Sequence, residues 1–341
     1  VVQAQTDDDG NFQQEDLREQ ITFDFGADLF YRDRASASAE AVNITGELTQ
    51  GLAAIRDVEI AYDGSALVFS MRYPFDPNAD EEDLPTWNIW KYTFASDTLE
   101  RVIKSDLTAE IGHDIMPKYL PDGRIIFAST RQTQSQALLL DENSQGGGFS
   151  AMDEDENEFA FNLHVMDDDG NNLKQVTFNQ SHDLDPSVMA DGKIVFSRWD
   201  HNTGNNHVNL YRMNPDGSAL ELLYGQWSHD TGTNNSTIQF MQPRETEDGR
   251  VVLNASMVEF AEITPENAAS FHLHGARADL PLTAVLVVPR DAEIDAVAGP
   301  GFRLGLAAGR LQGARQKTGG AELFGRCRGN YRSTALAFVH F

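Results

Sequence analysis

Histidine and aspartate crowd one stretch of the chain. Asp200-His201, His207 and His229-Asp230 sit among segments rich in Asn and Gly, Asn202 to Asn206 and Thr231 to Asn235. Imidazole and carboxylate together form the donor set of zinc and other divalent-ion sites. His201, His207, His229 and Asp230 are therefore candidate metal ligands. Their spacing fits no standard template such as His-Glu-x-x-His, and plain solvated loop histidines are the competing reading. A second polar set recurs along the chain. His113-Asp114 and His182-Asp183 share a place in an internal repeat, and Arg56-Asp57 aligns with them. Asp57, His113, Asp114, His182 and Asp183 read either as polar groups lining one mouth of a channel or as a repeated structural bond to a neighbouring strand or blade. Recurrence at equal repeat positions favours the structural reading.

Other chemistry is weaker. The acidic run Asp153 to Glu158 offers carboxylates to calcium but lacks the glycine and terminal glutamate of a calcium loop. Asp167-Asp168-Asp169-Gly170-Asn171 reads as hairpin-turn chemistry. Trp87, Trp90, Trp199 and Trp227 lie on or beside strands, where aromatics are core or a stacking surface. There is no Gly-x-Ser-x-Gly elbow, no phosphate-binding or dinucleotide glycine fingerprint, and no Cys-x-x-Cys-His for haem. Carboxylates are too abundant to single out a glycosidase pair. No catalytic residue is assigned and no cofactor is evident; calcium or another divalent ion stays open.

A repeat must position these residues. Tyr62-Asp63-Gly64, Pro121-Asp122-Gly123, Ala190-Asp191-Gly192 and Glu247-Asp248-Gly249 each precede an apolar strand, and three of those strands close on Ser70, Ser129 and Ser197. Asp-Gly supplies the positive φ that a two-residue turn between twisted strands needs. A second hairpin follows, opening at Asn88-Ile89, Asn162-Leu163 and Asn209-Leu210, with turns at Asp169-Gly170 and Asp216-Gly217. Two hairpins make a four-stranded antiparallel blade, which must stack to bury both faces. The fold class expected is all-β: a β-propeller of at least four such blades, with an incomplete and a six-bladed ring both open.

Leu120-Pro121-Asp122-Gly123-Arg124-Ile125-Ile126-Phe127 resembles the TolB-like propeller repeat. Tyr119 to Arg131, Asn162 to Phe196 and Asn209 to Gly225 more narrowly resemble the middle propeller domain of the hydrazine synthase alpha subunit family. The resemblance covers roughly residues 50–255. It implies a propeller fold and a periplasmic or envelope-anchored setting. Some relatives carry c-type haem elsewhere in their chains; this sequence lacks the attachment motif.

The chain has 341 residues with 26 Lys and Arg against 53 Asp and Glu, a formal net charge of −27. That field repels phosphate backbones and argues against nucleic acid. No apolar run reaches the length of a membrane-spanning helix. One cysteine, Cys327, permits no internal disulfide. Residues 1–20, rich in Gln and Asp and starting at Val1 rather than Met, read as a flexible leader of a processed or trimmed chain. Residues 21–258 are the propeller. Residues 259–341 are an atypical Gly/Ala/Arg-rich tail, with seven basic residues and only Glu322 acidic from Gly299 onward. Divergent blades, a small arm and a frameshifted end all fit that shift.

The function expected is a non-enzymatic envelope module that binds or scaffolds a protein or small ligand. The alternatives are an accessory subunit of a hydrazine-synthase-like, cytochrome-associated redox complex and a propeller polysaccharide lyase or hydrolase.

Overall fold

The computed structural model describes residues 2–3, 26–33, 38–76, 78–79, 83–135, 151–152, 159–202, 205–230, 237–256, 283–289, 321–324 and 334–339. Most of the leader, the acidic runs at 80–82 and 153–158, and most of the tail with Cys327 lie outside the described residues. The chain divides into two compact units, Val1–Pro186 and Ser187–Phe341.

The first unit opens with a small sheet of β1 (Val2–Gln3), β2 (Asp28–Tyr31) and β3 (Val42–Asn43), followed by the short helix α1 (Gly46–Thr49). Two four-stranded antiparallel sheets come next. The first is β4 (Ala54–Ile60), β5 (Ala66–Arg72), β6 (Asn88–Thr93) and β7 (Thr98–Arg101), in chain order. The short helix α2 (Asp106–Ala109) leads to β8 (Asp114–Tyr119), β9 (Ile125–Ser129), β10 (Asn162–Met166) and β11 (Lys174–Gln175), again neighbours in sequence order. These are the two-hairpin blades that the repeat requires.

A third sheet runs β12 (Asp183–Val188), β13 (Ile194–Asn202), β14 (Asn205–Met213) and β15 (Glu221–Tyr224). The last contains β16 (Gln239–Glu245) and β17 (Arg250–Ser256), then β18 (Thr283–Pro289), β20 (Thr334–Val339) and β19 (Ala321–Phe324) in that spatial order. β18 and β20 pair in parallel, which no four-stranded meander contains. The tail sequence shows no strand period, yet three strands come from it. Thr283–Pro289 is a continuous apolar run, and such runs carry no alternation to read.

Apolar strands close each face against a neighbour. In the first unit Val68 and Ile89 of the first blade pack with Ile125, Phe127 and Met166 of the second, around Val102, Ile103 and Ala109 of the connection. The opposite face of the first blade, with Phe69, Met71 and Tyr92, covers Ala27 and Leu29 beside β2. Each fully buried side chain of this size stabilises by roughly 1.5–3 kcal/mol.

The Asp-Gly turns are one residue longer than the sequence suggests, and the first, closed by the Ala61 amide on the Ala66 carbonyl, is longer by one more. In the second blade the Leu120 amide bonds the Arg124 carbonyl, and the Gly123 amide bonds the Leu120 carbonyl. Only Gly123, at φ 89°, is left-handed there. This is a type I turn followed by a left-handed glycine, for which proline is well suited at the first turn position. The Asp122 carboxylate meanwhile accepts the Arg124 amide at 3.2 Å.

A second repeated feature lies in the first strand of each blade. Register shifts interrupt β4 between Arg56 and Glu59, β8 between Ile115 and Lys118, and β16 between Met241 and Arg244. Asp57, Met116, Asp185 and Gln242 are left-handed, with φ of 57°, 57°, 54° and 52°. Each stands seven residues before its turn glycine. A β-bulge therefore recurs at one repeat position in β4, β8 and β16, and β12 carries the same left-handed residue there.

Candidate functional site

β13 and β14 form a long hairpin with Asp200 opposite His207 and His201 opposite Asn206. His207 stacks on His229, with ring centroids 4.1 Å apart and planes 13° apart. His201 stacks instead on Trp199 at 5.4 Å. His229 is buried, and both of its ring nitrogens are occupied. Nδ1 lies 2.5 Å from the Ile238 carbonyl and Nε2 lies 2.7 Å from Asn209 Oδ1. The Asn209 amide donates to the Asp200 carboxylate at 2.7 Å, which also accepts the Tyr211 hydroxyl at 3.0 Å. Gly225 makes room for this approach, since a Cβ there would sit 2.2 Å from Asn209 Oδ1. Asp230 is exposed and bridges to Thr237 through backbone.

Of the four candidate ligands, the structure thus joins two as a stacked pair, places His201 on Trp199 and leaves Asp230 at the surface. Burial holds His229 down to about 4, with the His207 ring adding to the effect and the Ile238 carbonyl opposing it. Burial lowers His207 too, against the pull of Asp200. Among the described residues no three His, Cys, Asp or Glu side chains come together where they could hold a metal ion. The calcium candidate at 153–158 lies outside the described residues.

The second candidate set resolves into joints between blades. His113 Nδ1 accepts the Trp87 amide at 3.1 Å, and His182 Nδ1 accepts the Phe161 amide at 3.0 Å. Backbone bonds run alongside, from the Asp114 amide to the Trp87 carbonyl and from the Asp183 amide to the Phe161 carbonyl, both at 2.8 Å. Trp87 and Phe161 directly precede the third strand of the preceding blade. Each histidine therefore ties its own first strand to the neighbouring sheet. The repeated structural bond expected at this position is thus made by imidazole and by the aspartate backbone.

Gln239 completes the pattern in the second unit. Its Oε1 accepts the Val208 amide at 2.6 Å. Gln239, His113 and His182 each stand ten residues before a turn glycine. Sequence reasoning missed Gln239 because glutamine looks unlike histidine, although both present one acceptor at the same reach. Counting back from Gly249 was the signal that could have found it.

The alignment of Arg56-Asp57 with the His-Asp pairs does not hold. Ile55 pairs with Met71 as Asp114 pairs with Ser129, so Ala54-Ile55 is the counterpart in the first blade. Asp57 is the bulge residue, and it forms a different joint. Its Oδ2 accepts the Met116 amide at 3.1 Å, Arg56 Nε at 2.8 Å and the Ser70 hydroxyl at 3.2 Å. The next bulge residue repeats the gesture, with the Asp185 amide 3.2 Å from Met116 Sδ. Two residues further along, Lys118 Nζ meets Glu59 of the preceding blade at 2.7 Å.

Asp114 has a further role that its partner in the sequence did not reveal. It binds Arg131 at both oxygens, Nε at 2.9 Å and Nη2 at 2.5 Å, and accepts the Ser129 hydroxyl at 2.6 Å. Both side chains are fully buried. Burial raises the Asp114 carboxyl, with Arg131 and Ser129 pulling the other way. Arg131 Nη1 also donates to the Thr108 carbonyl at 2.8 Å, which pins the α2 connection. His164 is buried nearby beside Phe127 and donates Nδ1–H to the Asn162 carbonyl at 2.9 Å. Burial holds His113 and His164 down to about 3 and His182 to about 4. Trp87 and Trp199 are core side chains, whereas Trp227 is exposed.

No family model matches the chain, and no curated protein matches it. Solved structures do. Hydrazine synthase of Kuenenia stuttgartiensis is similar at 18% identity and a TM-score of 0.48, over 68% of this chain and 34% of that one. TolB of Acinetobacter baumannii is similar at 15% identity and 0.38, over 68% of this chain and 46% of that one. A puromycin-hydrolyzing peptidase of Mycobacterium tuberculosis is similar at 11% identity and 0.39, over 69% and 34%. The chain spans less than half the length of each. These likenesses are ones of fold. The repeated Asp-Gly hairpins and the four-stranded antiparallel sheets accord by themselves with the all-β, β-propeller class.

Proposed function

We propose that the chain is a non-enzymatic binding or scaffolding module of the cell envelope that presents its blade connections to a protein partner. One observation carries this reading. Among the described residues, the buried polar side chains of the candidate sets bond blade to blade or strand to strand, while large apolar side chains stand exposed on the connections, Leu107 and Phe178 among them. A rigid scaffold with free connections is the usual architecture of a recognition module. The periplasmic or envelope setting belongs to the same proposal.

The test places a photo-crosslinking amino acid at Leu107, at Phe178 and at Tyr62 in separate full-length variants expressed with the native envelope. A discrete crosslinked protein at any of the three supports the module. Absence of a crosslinked species at all three, with the protein folded and localised, overturns it. Recovery of a cytochrome with haem absorbance as the crosslinked species would move the assignment to a redox-complex subunit.

A further inference from the structure

A chain of polar contacts in the second unit runs from the Ile238 carbonyl through His229 and Asn209 to Asp200 and the Tyr211 hydroxyl. Its successive distances are 2.5, 2.7, 2.7 and 3.0 Å. His229 and Asn209 are buried, whereas Asp200 and Tyr211 are half-buried.

The protons of this chain do not come out even for a neutral histidine beside an ionised aspartate. Both ring nitrogens of His229 face an oxygen. Ring carbon approaches oxygen no closer than about 3.3 Å, so turning the ring over does not fit these distances. A neutral imidazole offers one N–H and one lone pair. Whichever nitrogen donates, the other sets its lone pair against an oxygen, which is unfavourable in a buried site. Half a turn of the Asn209 amide gives His229 a donor, but the amide oxygen then meets the Asp200 carboxylate, a second pairing of acceptors.

Two arrangements satisfy every atom. In one, His229 carries both ring protons and Asp200 is ionised. In the other, His229 keeps only its Nδ1 proton, Asn209 is turned over and Asp200 carries the proton. Each holds one proton, and the turn of Asn209 exchanges them. Gly225 leaves that amide its room, since a Cβ there would stand 2.2 Å from Asn209 Oδ1. Burial disfavours a charged His229 ring, and the second arrangement relieves that without releasing the proton.

From this geometry we infer that His229, Asn209 and Asp200 hold one proton in common at neutral pH and form a proton-operated lock between the β13–β14 hairpin and the segment leading into β16. The other ionisable groups facing the lock come from each element around it. His207 of β14 stacks on His229 at 4.1 Å, which disfavours a second positive ring. Arg198 of β13 stands over the Tyr211 ring at 5.0 Å. Tyr224 of β15 packs on Phe240, and Asp230 follows His229 in the chain. β16 meets the His229 ring with the uncharged Phe240 at 4.9 Å. Without the shared proton, neither orientation of Asn209 suits both of its neighbours, and the lock opens. A free histidine loses its proton near pH 6.5, and the folded chain keeps it beyond that. The lock's stabilisation is therefore full below about pH 6.5 and is lost as pH rises through the network's own value. The inference is independent of the scaffold reading and adds a control to the fold of the second unit.

The test follows the His229 ring signals of the nitrogen-labelled full-length protein by NMR from about pH 6 to about pH 10. The signals are assigned by their absence from His229→Gln and by their proximity to the Phe240 ring. The shared proton predicts a titration with its midpoint above about pH 7. Asp200→Asn should abolish it, because the introduced amide donates permanently to the turned Asn209 and has no proton to release. Its melting midpoint should also fall less than that of the unaltered protein as pH rises over the same range. A flat His229 signal, a midpoint at or below about pH 7, or the same titration in Asp200→Asn overturns the inference. If Asp200→Asn does not fold, the titration of the unaltered protein decides by itself.

Discussion

At the turn end of the first two blades, most side-chain bonds are local, with the Lys91–Asp168 pair between blades the exception. Asp122 bonds an amide two residues away and a guanidinium two residues away, and Asp63 and Asp169 do the same with Ser65 and Asn171. At the connection end they are not. Trp87 waits for His113, Phe161 for His182, and Asp114 for Arg131, across separations of 26, 21 and 17 residues. The contrast shows how one repeat serves two purposes. Turns that satisfy themselves need nothing from their neighbours and tolerate change. Connections held by a few buried polar bonds underneath leave their outer surface free to diverge, and a single loss beneath them is expensive.

The largest test of that contrast is Arg131→Met. It strands the buried Asp114 carboxylate and should cost about 3–5 kcal/mol, read by urea denaturation. Asp114→Leu added to it should recover much of the loss, because no unpaired charge then remains. If Arg131→Met proves near neutral, the connection end is not held as described.

Glycine substitution sharpens the comparison from the other side. Gly123, at φ 89°, has nothing within 4 Å of a built Cβ, so Gly123→Ala should cost about 1–2 kcal/mol of backbone strain alone. A Cβ on Gly170 would meet the Val102 carbonyl at 2.6 Å, and its alanine variant should fall further. Gly170 is the turn that leans on the neighbouring blade, and equal melting shifts for the two variants would erase that distinction.

The histidine joints make a chemical prediction. His182→Leu leaves the Phe161 amide without its acceptor and should cost about 1–3 kcal/mol. His182→Gln should cost less, since Gln239 already does this work in the last blade. These histidines also set a pH dependence. Their folded values, about 3 for His113 and about 4 for His182, lie below an unfolded value near 6.5. The unfolded chain therefore binds more protons in that window, and stability falls as pH drops from about 6.5 toward the folded values. His113→Gln with His182→Gln should flatten the fall, measured as the melting midpoint against pH; an unchanged slope would mean other groups carry it.

The smallest effects belong to the surface. Asp122→Ala should cost under about 1 kcal/mol, and Leu107→Ser should stay within about 0.5 kcal/mol. A large loss in either would mean that these side chains hold the fold after all.

Much of the blade was legible before any coordinates. Asp122-Gly123 and Asp191-Gly192 announce hairpins through backbone chemistry, and Asn88 and Asn162 mark where third strands begin, whereas the third sheet's hairpin strand starts earlier than expected, at Asn205 rather than Asn209. The left-handed residues Asp57, Met116, Asp185 and Gln242 were hidden, because carboxylate, thioether and amide side chains share only a backbone conformation. The His201, His207, His229 and Asp230 cluster misled in the opposite way. Proximity in sequence suggested a common centre, but a β-hairpin sends successive side chains to opposite faces, so His201 reached Trp199 while His207 reached His229.

What the sequence determined by itself is whatever acts over a few residues: the Asp-Gly turns, the apolar strands after them, the four-strand repeat and the acidic balance. Tertiary structure alone decided which polar groups meet across blades. His113, His182 and Gln239 became equivalent only because packing brings the same backbone amide of a neighbouring sheet to each. Arg131 found Asp114 only when two strands paired. Bonds between distant segments depend on register and packing, and neither is written in the identity of the residues that make them.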